Sequence, residues 1–218
     1  MARIVIIGGH GKIALRLARR LVGAGHEVSA LIRNPDHRDE VAATGAKPLL
    51  ADLETSDTDT LINHLIGHDA VVWSAGAGGG NPPRTYAVDR DAAIRSMNAA
   101  RQAGIDRYVM VSYLGAGPEH GVPPDHPFFP YAEAKAAADQ HLRASKLAWT
   151  ILGPGKLTDT AGSGKITLMP NSRPGLADTS RDNVAEVAAA VLQADNTIGR
   201  TIEFVDGDTP IATAVQTL

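Results

Sequence analysis

Seven residues, Gly8-Gly9-His10-Gly11-Lys12-Ile13-Ala14, constrain this chain more than any others. They follow the apolar run Ile4-Val5-Ile6-Ile7 directly and open a segment with helical spacing of apolar residues, Ile13, Leu17 and Leu21. A G-x-x-G-x-x-A pattern at a strand-to-helix junction has a physical reading. Gly8 makes the tight turn, Gly11 lets backbone approach a bound pyrophosphate, and Ala14 permits close helix–sheet packing. The free N–H groups at the helix start, those of Lys12 and Ile13, then face the negative charge.

The rest of the chain repeats the alternation. Strands are expected at Val28–Ile32, Pro48–Ala51, Ala70–Trp73, Tyr108–Val111, Leu147–Leu152, Ile166–Met169 and Ile202–Val205. Helical patterns fall at 36–43, 58–66, 85–103, 131–144 and 180–194, with a last helical turn or two over 211–218. Strand–helix–strand spacing of this kind implies right-handed crossovers and a parallel sheet covered on both faces. The expectation is an α/β, doubly wound parallel sheet of Rossmann type, one domain over residues 1–218 with small C-terminal lid elements. Two Gly-rich loops, 115–130 and 153–164, are expected to rise from the carboxyl edge of the sheet, where open α/β sheets bind ligands.

Composition narrows the function classes. Cysteine is absent, which excludes disulfides and thiol chemistry. Hydrophobic residues make up 44% and charged residues 21%, ordinary globular usage, and the net charge of -3 offers no basic excess for nucleic acid. No apolar run approaches the length of a membrane span or a signal-peptide core, so the expectation is a soluble cytoplasmic protein with a small-molecule substrate and no nucleic-acid or membrane partner. The Ala-rich helices are compatible with a homodimer. No metal site is expected: His64 and His68 sit four apart but have no third ligand, and Gly67 interrupts the helix between them.

Which nucleotide binds depends on the end of the second strand. There an acid meets a ribose 2′-hydroxyl and an arginine meets a 2′-phosphate. This strand ends Leu31-Ile32-Arg33-Asn34, so Arg33 points to NADP(H) in preference to NAD(H), and Arg38 lies within reach. His10 and Lys12 lie near the phosphates. Asp52-Leu53 after the third strand is placed for the adenine, and Ser74-Ala75-Gly76 after the fourth for a backbone wall against the ribose.

The chemistry-bearing pattern is Tyr131-Ala132-Glu133-Ala134-Lys135, Y-x-x-x-K on a helix, which puts both side chains on one face. A lysine ammonium near a phenol lowers its pKa, and the phenol can then exchange a proton with a substrate oxygen. The 115–130 loop, with His120, His126, Phe128 and Phe129, is a candidate lid or hydrophobic wall, faced by Asn81-Pro82-Pro83-Arg84. Asp89 and Asn98 read as polar-face residues of their helix.

At these residues the chain resembles the short-chain dehydrogenase/reductase superfamily, in particular its small atypical NAD(P)-binding members of the biliverdin/flavin-reductase-like and quinone-reductase-like group. The resemblance covers GGHGKIA at 8–14, VMVSYLGAG at 109–117, YAEAK at 131–135, WTILGPGKLTD at 149–159 and SRDNVAEVAAAVL at 180–192. It implies that Tyr131 and a residue of the Ser112 region hold the substrate oxygen, with Tyr113 as the alternative to Ser112. It implies also that Lys135 orients the nicotinamide ribose and tunes Tyr131, and that Pro154-Gly155 passes under the nicotinamide. The implied function is an NADPH-dependent oxidoreductase acting on a small carbonyl, quinone or flavin-like acceptor. A non-catalytic NADP(H) sensor and, less favoured, a sugar-nucleotide epimerase or dehydratase share the same motifs.

Overall fold

The computed structural model describes residues 1–169 and 177–218. In chain order the elements are β1 (Arg3–Ile7), α1 (Lys12–Gly23), β2 (Glu27–Ile32), α2 (Arg38–Ala42), β3 (Lys47–Leu50), α3 (Thr58–Leu65) and β4 (Ala70–Trp73). Next come α4 (Pro82–Thr85), a π-helical stretch Tyr86–Ala92 and α5 (Ala93–Gln102), which run on as one rod. The second half holds β5 (Arg107–Val111), α6 (Phe129–Ala144), β6 (Ala148–Pro154), β7 (Lys156–Thr158), β8 (Lys165–Leu168) and β9 (Asp178–Ser180). It closes with α7 (Arg181–Val191), β10 (Arg200–Asp206), β11 (Thr209–Pro210) and α8 (Ile211–Gln216).

Nine strands form one sheet in the order β11-β8-β10-β6-β5-β4-β1-β2-β3. Pairing is parallel from β10 through β3, while β8 runs antiparallel to both β10 and β11. The doubly wound α/β expectation therefore holds, with an antiparallel edge that strand periodicity alone does not reveal. Successive side chains along a strand fall on alternating faces, as the period of two requires. Ile4 and Ile6 of β1 join α1, α7 and α8 in one core, and Val5 and Ile7 join α3, α5 and α6 in the other. Burying each of these four side chains contributes roughly 1.5–3 kcal/mol.

The segments differ from expectation at their ends. Helix α6 starts at Phe129 because Pro130 sits in its first turn, where a missing N–H costs nothing. Strand β6 runs on to Pro154 and is followed by the short β7–β9 pair, so the 153–164 segment is not one loop. Helix α7 begins at the expected cap, Ser180, whose side chain accepts from the Asp182 N–H.

Buried in β5, the Tyr108 hydroxyl lies 2.7 Å from Ser96 Oγ, which itself donates to the Ala93 carbonyl. Tyr108→Phe leaves that second bond intact, so we expect a loss of only about 0.5–1.5 kcal/mol, seen as a lower urea midpoint at unchanged slope.

Candidate active site

The carboxyl ends of β1 and β4 meet at the point where the sheet order changes direction. Gly8 adopts φ 84° there, and a Cβ on it would lie 2.5 Å from the Ala75 Cα. Only glycine fits both the backbone conformation and the contact. Gly11 N–H donates to the Gly8 carbonyl at 2.9 Å and closes the turn. Helix α1 starts at Lys12 with no side-chain cap, so its first N–H groups are available to an anion. Ile13 itself is buried in the core, so only its backbone belongs to this edge.

A pocket of about 260 Å³ opens from this turn toward β2 and β3. It is lined by Gly8, Gly11, Arg33, Asp52, Leu53, Ser74, Ala75 and Gly76, and so brings together most of the residues expected to hold a dinucleotide. Asn34, His37, Glu54, Arg84 and Val88 join them, none singled out by spacing except Asn34 and Arg84. Arg33 is not free to wait for a phosphate: its Nη1 donates to Glu54 Oε1 at 2.9 Å, and Arg84 Nε donates to the same oxygen at 2.8 Å. Those two guanidiniums hold the Glu54 carboxyl below its usual range. His10 and His37 stack with ring centroids 3.5 Å apart, and His10 reaches Glu40 at 2.7 Å. Arg38 is not among the lining residues. Glycine backbone, helix N-terminus and this charged pocket together fit a dinucleotide.

Lys12, expected over the phosphates, pairs instead with Asp159 at 2.5 Å, and Arg16 and Arg181 converge on the same carboxylate. Pro154 and Gly155 are also accounted for within the protein. The Pro154 carbonyl accepts from Leu114 N–H, and a Cβ on Gly155 would collide with the Ala177 carbonyl. The missing side chain thus serves strand packing against β9.

Beyond Gly76, Tyr131 stands at the first turn of α6, beside the rings of Phe128 and Tyr113 at 5.2 and 5.7 Å. Lys135, one turn on, is 1% exposed, and its ammonium donates to the Val111 carbonyl at 3.0 Å and contacts Met110 Sδ at 3.1 Å. Ser112, expected to face the substrate, is instead 4% exposed, and its Oγ donates to Asp139 at 2.5 Å. Tyr113 is the β5-end residue that reaches the aromatic cluster.

Two carboxylates flank Lys135. Asp139 lies one turn further along α6. Asp89 is buried rather than on a polar face, and its Oδ2 accepts from the Ala77 N–H at 3.0 Å. It sits in the π-helical stretch, a feature that often marks functional sites. Burial pushes both carboxyls up and the Lys135 ammonium down, and their mutual attraction opposes both shifts. The Tyr131 phenol is pushed up, first by burial and then by Asp89 and Asp139. That reverses the expectation of a lysine-lowered phenol. The Y-x-x-x-K spacing extends to Y-x-x-x-K-x-x-x-D, which made Asp139 findable, whereas Asp89 comes from another element.

Elsewhere two of the histidines have partners within the protein. His68 bonds the Leu65 carbonyl and Ser29, and His120 pairs with Glu133 and packs on Phe129. No helix among the described residues is long and apolar enough to cross a membrane.

Fold and crevice define a dinucleotide-binding α/β protein. Residues 8–195 match the NAD(P)H-binding family, and the chain belongs to it. It is 35% identical to the "Uncharacterized sugar epimerase YhfK" of Bacillus subtilis, covering 99% of this chain and 100% of that protein. A Bacillus halodurans structure provisionally called an NAD-dependent epimerase/dehydratase superposes with a TM-score of 0.92 at 34% identity, over 100% of both chains. The oxidoreductase ylbE of Lactococcus lactis superposes with a TM-score of 0.87 at 25% identity, over 99% and 96% of the two chains. The family match supports a nicotinamide cofactor, without a preference between NADP(H) and NAD(H).

Of the four tyrosines, Tyr108, Tyr113 and Tyr131 are held above the ordinary phenol value, Tyr113 at about 12. The raised values contribute stability that is fully present below about pH 10 and is lost as pH climbs through the folded values. At about pH 10.5 the native protein should therefore show far less tyrosinate absorbance than the unfolded chain.

Proposed function

We propose that this protein is an NADPH-dependent reductase of a small carbonyl, quinone or flavin-like acceptor, with Tyr131 as proton donor. The observation that carries the reading is the Tyr131 phenol at the wall of a cavity, one helical turn from the buried Lys135. Reduction of a C=O group needs an acid at the oxygen, and a phenol kept protonated at neutral pH is one. A bound reduced nicotinamide supplies the hydride.

The chain's own residues do the rest. Gly8, Gly11 and the start of α1 take the pyrophosphate, and Ser74-Ala75-Gly76 line the path between the two halves of the cofactor. Lys135 is a positioning residue. Its bond to the Val111 carbonyl ties α6 to β5, and its charge lies between Asp89 and Asp139. To reach a ribose hydroxyl it would have to leave that carbonyl.

Preference for NADP(H) rests on Arg33 and Arg84 sharing one carboxylate, with Asn34 and the stacked His10 and His37 at the same pocket. Arg33 meets Glu54 through Nη1 alone, and its other N–H groups are the donors a 2′-phosphate would take. Arg33→Ala should lower the ratio of NADPH to NADH kcat/KM by roughly 10- to 100-fold, the size of a lost charge-assisted hydrogen bond. Glu54→Gln should raise it.

The decisive experiment is NADPH oxidation against quinones, aldehydes, ketones and flavins with wild type and Tyr131→Phe. We expect kcat to fall by about 10²- to 10⁴-fold in the variant with NADPH binding intact. Equal turnover in the two proteins removes Tyr131 from the chemistry. No turnover in either, with NADPH still raising Tm, replaces the reductase with a non-catalytic NADP(H)-binding protein.

A further inference from the structure

A second cavity, of about 530 Å³, lies on the far side of Gly76 from the charged pocket. Its walls are Gly78, Gly79, Gly80 and Pro82 on one side, with Phe128 and Tyr131 on the other. We propose that this cavity selects a flat, uncharged, ring-bearing carbonyl or quinone acceptor and excludes phosphorylated ones, FMN and nucleotide sugars among them. The inference rests on the reductase reading above and narrows its substrate.

Charge is the first argument. Not one lining residue of this cavity is ionisable apart from the Tyr131 phenol, whereas the neighbouring pocket is lined by Arg33, Arg84, Asp52 and Glu54. The cations nearest in the chain are committed elsewhere. Arg84 donates to Glu54 and to the Ala77 carbonyl, and Lys135 to the Val111 carbonyl. His126 uses Nδ1 to accept the Phe128 N–H. A phosphate entering here would lose water and meet no cation, which is strongly unfavourable.

Shape is the second. Gly78, Gly79 and Gly80 have φ of 84°, 76° and 74°, and no atom lies within 4 Å of where their Cβ atoms would be. Glycine is required at these positions by backbone conformation rather than by crowding, so this wall is bare peptide. Opposite it, Phe128 is 38% exposed although large and apolar, and it is braced edge-on by Tyr113 at 5.2 Å and tilted against Tyr131 at 5.2 Å. A rigid aromatic face that water touches is suited to stack a planar ring. Tyr131 then supplies the hydrogen-bonding group at the ring oxygen.

The redox step balances. The acceptor C=O π bond breaks as its carbon takes hydride, hence two electrons, from NADPH, and its oxygen takes the Tyr131 proton. A ketone leaves as the alcohol; a quinone gives the hydroxy-dienone, which becomes the hydroquinone when the new C–H proton is lost to solvent and the second oxygen takes a proton from it. NADPH leaves as NADP⁺, and Tyr131 regains a proton from solvent.

The test compares 1,4-naphthoquinone with 1,4-naphthoquinone-2-sulfonate as NADPH-dependent acceptors, after subtraction of the uncatalysed rate. We expect kcat/KM at least about tenfold higher for the neutral ring. Phe128→Lys should shrink or reverse that ratio, and Phe128→Ala should raise KM for naphthoquinone with kcat nearly kept. Equal or better turnover of the sulfonate by wild type overturns the inference and leaves the reductase reading standing. If neither quinone is turned over, the reductase reading is decided by the wider acceptor panel, and the cavity is then read by binding alone. With NADP⁺ saturating the charged pocket, saturation-transfer NMR should show 1-naphthol bound, and its signal lost in Phe128→Lys, while 1-naphthyl phosphate stays silent. Binding of the phosphate as well as the naphthol, or of neither, overturns the inference.

Discussion

Strand β1 ends where the sheet turns back on itself, with β2 and β3 added on one side and β4 on the other. The helices that follow β1 and β4 pack on opposite faces, so a crevice opens between them at the carboxyl edge. The contact that lets the backbones close up at this point is Gly8 on Ala75, a separation that leaves no space for a Cβ. Gly9 is pressed equally closely on Ala30 of β2. Everything proposed for the cofactor hangs from this point. The turn sets where α1 begins, the start of α1 sets where an anion is met, and the Ser74–Ala77 segment beside it divides the charged pocket from the neutral one.

A second constraint lies under Tyr131. Lys135, Asp89 and Asp139 are buried together, one cation between two carboxylates, among side chains that are otherwise apolar or small. Burial disfavours each charge alone, and the group persists because each charge faces an opposite one and has hydrogen-bond partners such as Ser112, the Ala77 N–H and the Val111 carbonyl. Oδ1 of both Asp89 and Asp139 has no hydrogen-bond partner among the described residues. Their negative potential reaches the phenol above and keeps its proton on. Burial acts in the same direction and more strongly, so the proton stays on the tyrosine, and one given to a substrate has to be returned from solvent.

Much of this could be read along the chain, and the residues show why. Gly8 and Gly11, Arg33, Asp52 and Ser74 come from four separate segments, yet the strand order that unites them follows from right-handed crossovers. Tyr131 and Lys135 are four apart on one helix, so their shared face needed no tertiary information. What spacing could not show is where a long side chain finds its partner. Arg33 on Glu54, Lys12 on Asp159 and Ser112 on Asp139 join residues 21, 147 and 27 positions apart. In each pair the partner is a carboxylate that the spacing did not single out.

The amino-acid sequence by itself determined the α/β alternation, the dinucleotide turn and the Tyr–Lys face, because each is set by local periodicity and by the conformations glycine allows. Tertiary structure alone decided the antiparallel strands at the sheet edge and the burial of Asp89 in a π-helical stretch against Lys135. It also decided the sign of the shift at Tyr131 and the separation of a charged pocket from an uncharged one. These depend on desolvation and on charges brought close through space, and neither quantity exists until the chain has folded.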